Sequence, residues 1–529
     1  EEKAITVRKG TSLEESPHPQ TVKVTMESGT EVDTPVLWNM DEYDPENPAE
    51  QTVTGVLVPE DQYGMEVAAG DIPTLKVAQR EVQQELFVSP EGSDSNAGTI
   101  DSPFLTVARA QEEVRKYNQN MTGDILVYLR EGTYEITEPM QFGVEDSGSN
   151  GYYVVYQNYQ DELPVVSGGT VLDAEWEEDP ERPGVYKTTL DRDRKLRYLY
   201  VNGEPAKITE HTVEGQGTVG TMTITGEESW AETSGTAWTG IKFKKSDVAV
   251  YANPEDVEIT QSKVFNRNTV GIQNIYEDES GEYIIFEPQQ PFGAIFSTMA
   301  WGCNLVGTGS ITIRNTLENL KNPGEFYFDR GEKTLYYYPP AGADINDMEF
   351  VIPESEGFMR INGESTSERV ENIEFSGIQF SYDDYNLEVI DDPENGLHAV
   401  GYGGVQSLGL YRKFADHGNW HHSWYNIVDT PYASVDVQNA RGIVFEGNRF
   451  KNISSSCGVS YTNDVVDSTI QGNAFINVAG NATNIGHPQH VFIGEDAKSD
   501  NQRFPVGVEG VCKNDQVVHN LVRNVSSEF

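Results

Sequence analysis

Short stretches in which apolar and polar residues alternate recur along much of the chain. Val22, Val24 and Met26 alternate with polar residues near the N-terminus, and the segment IVFEGNRF has a similar pattern at 443–450. Successive side chains of a β-strand point to opposite faces, so this pattern predicts strands with a buried face. We therefore expect an all-β protein.

Four stretches also resemble one another and form a repeat: IEFSGIQF (373–380), IVFEGNRF (443–450), TIQGNAF (469–475) and QVVHNLV (516–522). Their equivalent positions, Phe375, Phe445, Ile470 and Val517, lie 70, 25 and 47 residues apart. These separations are about three, one and two multiples of 23–25 residues, a suitable length for one coil of a three-sided solenoid. A β-propeller would need four antiparallel strands in every ~40–45 residues. The repeat predicts a right-handed parallel β-helix.

The dipeptide Gly-Asn stands within two of these repeats, at 447–448 and 472–473. Asn tolerates left-handed backbone angles, and equivalent Asn side chains can hydrogen-bond along a solenoid. We expect these dipeptides to form a corner with stacked Asn side chains.

One amphipathic helix is predicted before the first coils. Asp101-Ser102-Pro103 has the residues of a helix start, and Val107, Ala110 and Val114 form one apolar stripe. Such a helix would cover the open end of the β-helix, which otherwise exposes apolar side chains and unpaired strand edges.

Residues 1–60 predict a small β-sandwich, because short alternating strands are separated by turn signals. The segments ITVRKGTSLEE, VKVTMESGTEVDTPVLWN and YDPENPAEQTVTGVLV resemble the group 4 bacterial immunoglobulin-like (Ig-like) module. The resemblance implies a spacer domain of a secreted enzyme, with glycan contact as an additional role.

The rest of the chain divides into four segments. A polar linker is predicted at 61–84, and the helix cap with the first coils at 85–173. Residues 174–350 predict a β-rich insertion of antiparallel hairpins, because Asn202-Gly203 and Arg330-Gly331 provide hairpin turns. Residues 351–529 predict the coils that carry the candidate active site.

Charge excludes two classes of partner. The 529 residues include 37 basic and 85 acidic ones, a formal net charge of −48, so nucleic acid and anionic membranes would be repelled. No apolar run approaches the ~18 residues of a membrane span. A neutral sugar is not disfavoured, and acidity alone also keeps an exported protein soluble. With only three Cys and many Gly and Tyr, the composition is typical of an exported bacterial protein, so we expect a secreted or cell-surface location.

Two aspartates seven residues apart are the candidate catalytic pair. Asp436 lies between Val435 and Val437, so it should point outward if the two Val side chains point inward; Asp429 precedes Pro431 at an expected corner. Glycosidic cleavage needs one carboxyl that protonates the leaving oxygen and another that attacks or activates water. The alternative is that Asp429 caps a turn and Asp436 is a solvated outer residue.

Aromatic and polar residues near this pair are candidate sugar-binding groups. Aromatic rings stack on sugars, and His, Asn and Gln side chains bind hydroxyl groups. The first candidates are Trp420, His421, His422, Trp424 and Tyr425. The others are Asn484, His487 and Gln489, which together with Asn481 are expected on a loop. Coil packing and a surface loop are the alternative interpretations. Their spacing does not suit a metal site.

Several segments resemble the right-handed β-helix glycoside hydrolases, across about 86–529: FVSPEGSDSNAGTIDSPFLTVARAQ, ILVYLREGTYEI, RYLYVNGEPA, PGEFYFDRGEKTLYYYP and NIEFSGIQF. The Asp pair resembles that of glycoside hydrolase family 136, the lacto-N-biosidases. This resemblance implies a retaining, exo-acting enzyme that releases lacto-N-biose from lacto-N-tetraose, with Asp429 as general acid/base and Asp436 as nucleophile. In that case, hydrogen-bond donors should hold Asp436 ionised, and the two carboxyl groups should lie about 5–5.5 Å apart.

Other functions stay open. A β-helix glycosidase for plant glycans (xylan, fucoside or pectic) would use other carboxylates, among them Asp383, Asp384, Glu388, Asp391 and Asp392, which could also simply decorate a loop. A pectate-type lyase would need Ca²⁺ and usually an Arg or Lys base, and the sequence has no basic residue beside the Asp pair. A non-catalytic adhesin is the fourth hypothesis.

The expected partner is an oligosaccharide, with no required cofactor; a structural Ca²⁺ is not indicated, although acidic clusters can bind one. The last repeat ends close to Phe529 without a capping segment. We therefore expect a C-terminal region or a second subunit to complete the β-helix.

Overall fold

A computed structural model describes residues 2–7, 12–14, 16, 18–25, 28–47, 49–58, 72–231, 233–263, 266–299, 302–385, 387–392, 397–403, 410–411, 414, 428–429, 432–486 and 510–526. At 388–392, 397–399, 402–403, 410–411 and 428–429 the description covers only the backbone of those residues. By its contacts the chain divides into two compact units, which are described separately. The first comprises Glu1–Arg130, Glu145–Asp161 and Glu371–Ser376; the second comprises Glu131–Val144, Glu162–Val370 and Gly377–Phe529.

The described chain is almost entirely β-structure. Up to residue 171 the strands are β1 (Glu2–Val7), β2 (Thr21–Thr25), β3 (Glu31–Trp38), β4 (Gln51–Leu57), β5 (Thr74–Gln79), β6 (Val82–Val88), β7 (Asp124–Leu129), β8 (Gly132–Glu135), β9 (Met140–Phe142), β10 (Val154–Asn158), β11 (Pro164–Ser167) and β12 (Gly169–Val171). The following strands are β13 (Glu177–Glu178), β14 (Tyr186–Thr189), β15 (Tyr200–Val201), β16 (Glu204–Pro205), β17 (Lys207–Ile208), β18 (Glu210–Val219), β19 (Met222–Ile224), β20 (Gly235–Ala237), β21 (Gly240–Lys244), β22 (Glu258–Ser262), β23 (Arg267–Glu277), β24 (Tyr283–Pro288), β25 (Thr308–Arg314), β26 (Glu325–Asp329), β27 (Thr334–Tyr337) and β28 (Phe350–Pro353).

The C-terminal part supplies the remaining strands, most of which pair in parallel. They are β29 (Met359–Asn362), β30 (Val370–Ser376), β31 (Gln379–Ser381), β32 (Glu388–Asp392), β33 (Leu397–Gly403), β34 (Leu410–Tyr411), β35 (Val428–Asp429), β36 (Val435–Glu446), β37 (Arg449–Ile453), β38 (Cys457–Val466), β39 (Thr469–Gln471), β40 (Ala474–Val478), β41 (Asn481–Ile485), β42 (Gln516–Val518) and β43 (Leu521–Val525). The pairs β32–β33 and β34–β35 are antiparallel. The α-helices of the described chain are α1 (Val107–Val114) and α2 (Phe292–Ser297). Short 3-10 helices span Met40–Glu42, Asn118–Asn120, Val144–Asp146, Pro254–Asp256, Leu317–Asn319 and Ile345–Asp347.

The first unit contains a five-stranded sheet and parallel coils. The sheet has the order β1-β5-β4-β3-β2, and its strand β5 falls within the segment 61–84 that the sequence analysis assigns to a linker. Strands β6, β7 and β10 are parallel, and β10 pairs with β30 so that Tyr156 lies opposite Phe375. The Ig-like assignment of the small sheet stays a prediction.

Helix α1 belongs to the first unit. Its predicted stripe is confirmed, since Val107, Ala110 and Val114 are all buried. The predicted start at Asp101-Ser102-Pro103 is wrong: Thr106 is the N-cap, and its hydroxyl accepts a hydrogen bond from the Arg109 N–H at 3.1 Å. A local hydroxyl acceptor therefore sets the start three residues beyond the proline.

The parallel strands of the coils in the second unit belong to two sheets, which confirms the predicted parallel β-helix. One sheet has the order β43-β40-β37-β31-β11-β8. A second runs through β9, β29, β36, β38 and β41, and the C-terminal half of β36 pairs with β39, which pairs with β42. Phe445 lies opposite Ile470, and Ile470 opposite Val517, as the repeat predicts.

The predicted Asn corner is present in these coils. Asn448 Nδ2 donates to Asn473 Oδ1 at 3.1 Å, and Asn473 Nδ2 donates to Asn520 Oδ1 at 3.1 Å. The left-handed backbone conformation falls on Gly447 (φ 63°) and Gly472 (φ 65°) rather than on the Asn residues. Gly thus makes the turn, and Asn ties one coil to the next.

The insertion is antiparallel, as predicted. It contains the sheets β13-β14-β27-β26-β17, in which the β17–β26 pair is parallel, and β22-β25-β18-β21-β24-β23-β33-β32, so it includes strands beyond residue 350. Asn202 (φ 52°) and Gly203 (φ 76°) join β15 to β16, which is the predicted tight hairpin. The Tyr200 hydroxyl donates to the Asn452 carbonyl oxygen at 3.1 Å, which holds this hairpin against a coil.

None of the helices in the described part of the chain has the length and apolar character that a membrane crossing requires. Cys303, Cys457 and Cys512 are free thiols.

Candidate active site

Asp436 lies on the outward face of a parallel sheet, as the alternation predicts. Val435 and Val437 are fully buried on either side of it in β36. In the register of the sheet, Asp436 is opposite Arg360 on β29 and Ser460 on β38. Side chains in register on neighbouring strands share a face and lie about 4.8 Å apart. Outward polar residues therefore form a row across the coils.

We call this set the outward polar row. Arg360 is in register with Gln141 on β9, and Ser460 with Asn484 on β41. The row is Gln141, Arg360, Asp436, Ser460 and Asn484. It gives the sheet a strip of hydrogen-bonding groups with one carboxylate at its centre.

Asp436 is only 2% exposed, which affects its protonation. Burial raises its pKa above the ordinary value of an aspartate. Gln438 Nε2 donates a hydrogen bond to Asp436 Oδ1 at 3.0 Å, and Thr462 Oγ1 donates to the same oxygen at 3.4 Å. These hydrogen bonds and the charge of Arg360 lower the pKa of Asp436. The expected donors are present, and burial acts against them, so that the net change of the Asp436 pKa is upward.

Arg360 stands opposite Asp436 in the register of the sheet, and backbone carbonyl groups hold its guanidinium. Its Nη1 donates to the carbonyl oxygens of Met359 and Ala433, each at 3.0 Å, and its Nη2 donates to that of Glu356 at 2.6 Å. The guanidinium also lies 5.0 Å from the centre of the Tyr432 ring. The sequence shows no basic residue beside the Asp pair, but the register of the coils places Arg360, which is distant in sequence, on the strand next to Asp436.

The other predicted residues divide into two groups. Asn484 is on the outward polar row within strand β41, not on the expected loop, and its Oδ1 accepts a hydrogen bond from Asn481 Nδ2 at 2.8 Å. The backbone of Asp429 lies in β35, opposite Leu410 on β34, whereas its side chain lies outside the described residues. Trp420, His421, His422, Trp424, Tyr425, His487 and Gln489 also lie outside them. The proximity of Asp429 to Asp436 stays a prediction.

Ser460 is a residue that sequence reasoning missed. It is 1% exposed, stands next to Asp436 in the row, and in the part of the chain that the structure describes its Oγ has no hydrogen-bond partner. Buried hydroxyl groups are normally paired, so an unpaired one beside a candidate catalytic carboxylate suits contact with substrate or water. The alternation in Val459-Ser460-Tyr461 could have shown from the sequence that Ser460 points to the same face as Asp436. The sequence could not show that the two residues lie opposite each other on neighbouring strands.

The competing carboxylates Asp383 and Asp384 are fully buried, so the alternative that they decorate a loop is wrong. Asp383 accepts hydrogen bonds from the hydroxyls of Ser434 and Ser455, each at 2.5 Å, and from the Ser454 N–H at 2.7 Å. Asp384 pairs with Arg192 at 2.6 Å. Both carboxylates therefore connect chain segments in the interior. The side chains of Glu388, Asp391 and Asp392 lie outside the described residues.

Replacing Asp383 by Asn should remove a pH dependence of stability. Burial raises the pKa of Asp383 to about 6. Between about pH 4 and 6 the unfolded chain loses this proton before the folded chain does, so the wild type loses stability as pH rises through that window. The loss is roughly 3 kcal/mol at most and complete above pH 6. Urea unfolding of both proteins from pH 4 to 7 should show a difference that changes across the window and is constant above it; parallel curves would contradict this assignment.

Within the described ranges, no three His, Cys, Asp or Glu side chains converge closely enough to hold a metal ion.

No family model matches the sequence. The protein YwoF of Bacillus subtilis, described as uncharacterized, is 40% identical over 92 residues, which is 17% of this chain and 17% of YwoF. The pectate lyase PEL9 of Emericella nidulans is 31% identical over 116 residues, which is 22% of this chain and 24% of PEL9. The chain thus spans less than a quarter of the length of these curated relatives.

A solved glycoside hydrolase structure provides the broader comparison. It superposes with a TM-score of 0.62 at 20% sequence identity, over 84% of this chain and 74% of that one. The two proteins share a fold. At this identity the likeness shows the fold alone, and the chemistry has to be argued from the site.

Proposed function

We propose that this protein is a carbohydrate-active enzyme, a glycoside hydrolase that cleaves with retention of configuration. The observation that carries the proposal is the buried Asp436 at the centre of the outward polar row, with Arg360 and Ser460 on its two sides. A solvated surface aspartate would be hydrated by water, whereas Asp436 is buried and accepts hydrogen bonds from Gln438 and Thr462. The fold shared with a glycoside hydrolase supports the same conclusion.

In the proposed mechanism, Asp436 is the nucleophile and Asp429 the general acid/base. Asp436 attacks the anomeric carbon while Asp429 gives its proton to the departing glycosidic oxygen. Asp429 then removes a proton from water, which attacks the anomeric carbon and releases Asp436. Gln438, Thr462 and the fixed charge of Arg360 favour the ionised form of Asp436 that the first step needs.

The proposed substrate is a lacto-N-tetraose-type glycan, from which lacto-N-biose is released. This substrate is supported by the resemblance of the Asp429–Asp436 pair to that of the lacto-N-biosidases. The strongly acidic chain suits a neutral sugar as substrate. We further propose a secreted or cell-surface location.

Pectate-type lyase activity is the second candidate, because the chain is 31% identical to a pectate lyase over 116 residues. Arg360 lies at the position where a base would be useful. Its guanidinium, however, donates to four backbone carbonyl oxygens, which stabilises the protonated form and leaves it poorly suited to accept a proton. The site therefore favours hydrolysis.

An assay on three substrates separates these activities. Lacto-N-tetraose, xylo-oligosaccharides and polygalacturonate would each be incubated with the protein, with and without EDTA. We expect disaccharide release from lacto-N-tetraose that EDTA does not affect. An ultraviolet-absorbing unsaturated product from polygalacturonate, lost with EDTA, would instead establish the lyase.

Azide rescue should separate the roles of the two aspartates. With an activated aryl β-glycoside of lacto-N-biose, azide can fill the space left in Asp436→Ala and attack directly, which gives an α-glycosyl azide. In Asp429→Ala the covalent intermediate still forms, so azide should give the β-glycosyl azide. The anomers are distinguished by NMR coupling constants; the opposite assignment of anomers would reverse the roles, and rescue of neither would contradict the pair.

A further inference from the structure

An exposed aromatic side chain stands close to the candidate nucleophile. Tyr432 precedes Asp436 by four residues and is 61% exposed, compared with 38% for Tyr117 and 39% for Tyr276. Exposure alone carries little weight, because single exposed apolar groups are common on protein surfaces. The contacts of Tyr432 decide whether its ring has a role.

The backbone that carries Tyr432 reaches the Asp436 carboxylate directly. The backbone of Ala433, the next residue, hydrogen-bonds to that carboxylate, which is one of the interactions that act to lower the Asp436 pKa. Ala433 and Ser434 are fully buried. The Tyr432 carbonyl oxygen accepts a hydrogen bond from Ser456 Oγ at 3.2 Å. The ring is therefore attached to well-anchored backbone next to the candidate nucleophile.

The Arg360 guanidinium supports the ring from one side. It lies 5.0 Å from the centre of the Tyr432 ring. Its N–H groups lie in the plane of the guanidinium and donate to backbone carbonyl oxygens, among them those of Glu356 and Ala433, which leaves a flat face for the ring. Gly357 leaves room for this arrangement, since a Cβ there would lie 2.9 Å from Arg360 Nη1. With one face on the guanidinium and most of the residue exposed, Tyr432 presents its other face to solvent.

An aromatic face that is fixed before binding suits the apolar face of a pyranose ring. The C–H groups of the sugar can pack on the ring, and Tyr432 loses little freedom on binding because Arg360 and the backbone already hold it. Such a contact needs no charge on the ligand. We propose, on the basis of the proposed glycosidase function, that Tyr432 is a substrate-binding residue on which a neutral pyranose unit stacks beside Asp436.

The alternative is that the ring only holds Arg360 in place. The charge of Arg360 acts to lower the pKa of Asp436, so loss of a purely structural ring should change kcat and its pH dependence. Loss of a stacking surface should instead raise KM, because stacking binds the substrate and the transition state equally. The two roles therefore predict different kinetic results.

Steady-state kinetics of Tyr432→Ala and Tyr432→Phe on the cleaved glycan distinguish these roles. We expect the Ala variant to raise KM about tenfold or more, with kcat within about threefold of the wild type and an unchanged pH profile of kcat. The Phe variant should match the wild type, because the ring rather than the hydroxyl makes the contact. Thermal unfolding checks that each variant is folded, and Tyr432→Leu, which still covers Arg360, replaces an unfolded Ala variant. A lower kcat at unchanged KM, or wild-type kinetics without the ring, would overturn the proposal.

Calorimetry separates this inference from the proposed hydrolase. Lacto-N-tetraose and xylotetraose are each titrated into Asp436→Asn and into the double variant that also carries Tyr432→Ala. We expect the glycan that binds the first protein to bind the second about tenfold or more weakly. The control is Tyr276→Ala in the same background, which removes an exposed tyrosine of β23 outside the outward polar row and should bind normally.

The outcomes of these titrations are distinct. Equal losses for the two tyrosines, or no binding of either glycan, would overturn the stacking role. Full hydrolysis by Asp436→Asn, together with weaker glycan binding in Tyr432→Ala, would refute the proposed nucleophile and support the stacking role. Loss of hydrolysis in Asp436→Asn with unchanged binding in the double variant would do the reverse.

Discussion

Asp436→Asn is expected to lower kcat/KM on the cleaved glycan by about 10³-fold or more, because an amide cannot attack the anomeric carbon. The substitution should leave the fold intact, since the amide oxygen can keep the hydrogen bonds from Gln438 and Thr462. It also removes a buried carboxylate whose pKa is raised by desolvation, so the free energy of unfolding should not fall. Steady-state kinetics and thermal unfolding of the same preparation measure both effects.

Asp467→Asn is the matched control for this loss. Asp467 lies in the same group of coils, is half-exposed at a corner, and faces Arg441 at 3.6 Å. Surface ion pairs contribute about 0–1 kcal/mol, so this variant should retain wild-type activity and stability. Full activity in Asp436→Asn would remove the proposed nucleophile, whereas the fold assignment would be unaffected.

Phe450→Ala is expected to cost about 3–5 kcal/mol of the free energy of unfolding of the β-helix coils. Phe450 is fully buried between Phe380 and Phe475, with ring centres at 5.1 and 4.9 Å and the latter pair nearly parallel. Truncation leaves a cavity in the middle of this stack. Because coils contact mainly their neighbours, the loss should destabilise the adjacent coils together. The urea midpoint of the wild type and the variant measures it.

Arg449→Ala tests whether this cost comes from the stack. Arg449 precedes Phe450 in the same strand and is exposed, so its truncation should change stability by no more than about 0.5 kcal/mol. If the two variants lose similar stability, the strand itself rather than the aromatic stack would be the sensitive element.

Much of the scaffold could be predicted because its signals are local or strictly periodic. The spacing of Phe445, Ile470 and Val517 reproduces the register of the coils, since each coil must place an apolar side chain at the same inner position. The Asn448–Asn473 contact follows from the same period. The helix start was misplaced because Thr106 competes with an equally plausible cap a few residues earlier.

The candidate site was less predictable because its neighbours are distant in sequence. Asp436 could be placed on the outer face from its two flanking valines. Arg360 and Ser460 could not be assigned to it, because a one-residue change of register turns every side chain to the other face. Burial of Asp436 and of Asp383 likewise depends on what covers them.

The sequence by itself determined the all-β class, the repeating coil, the Asn corner and the outward direction of Asp436, because alternation and period act over a few residues or one coil. Only the tertiary structure decided which polar groups meet: the row from Gln141 to Asn484, the place of Arg360 opposite Asp436 in the register, and the buried ion pairs of the insertion. These depend on the register between strands and on desolvation, which are properties of segments far apart in the chain.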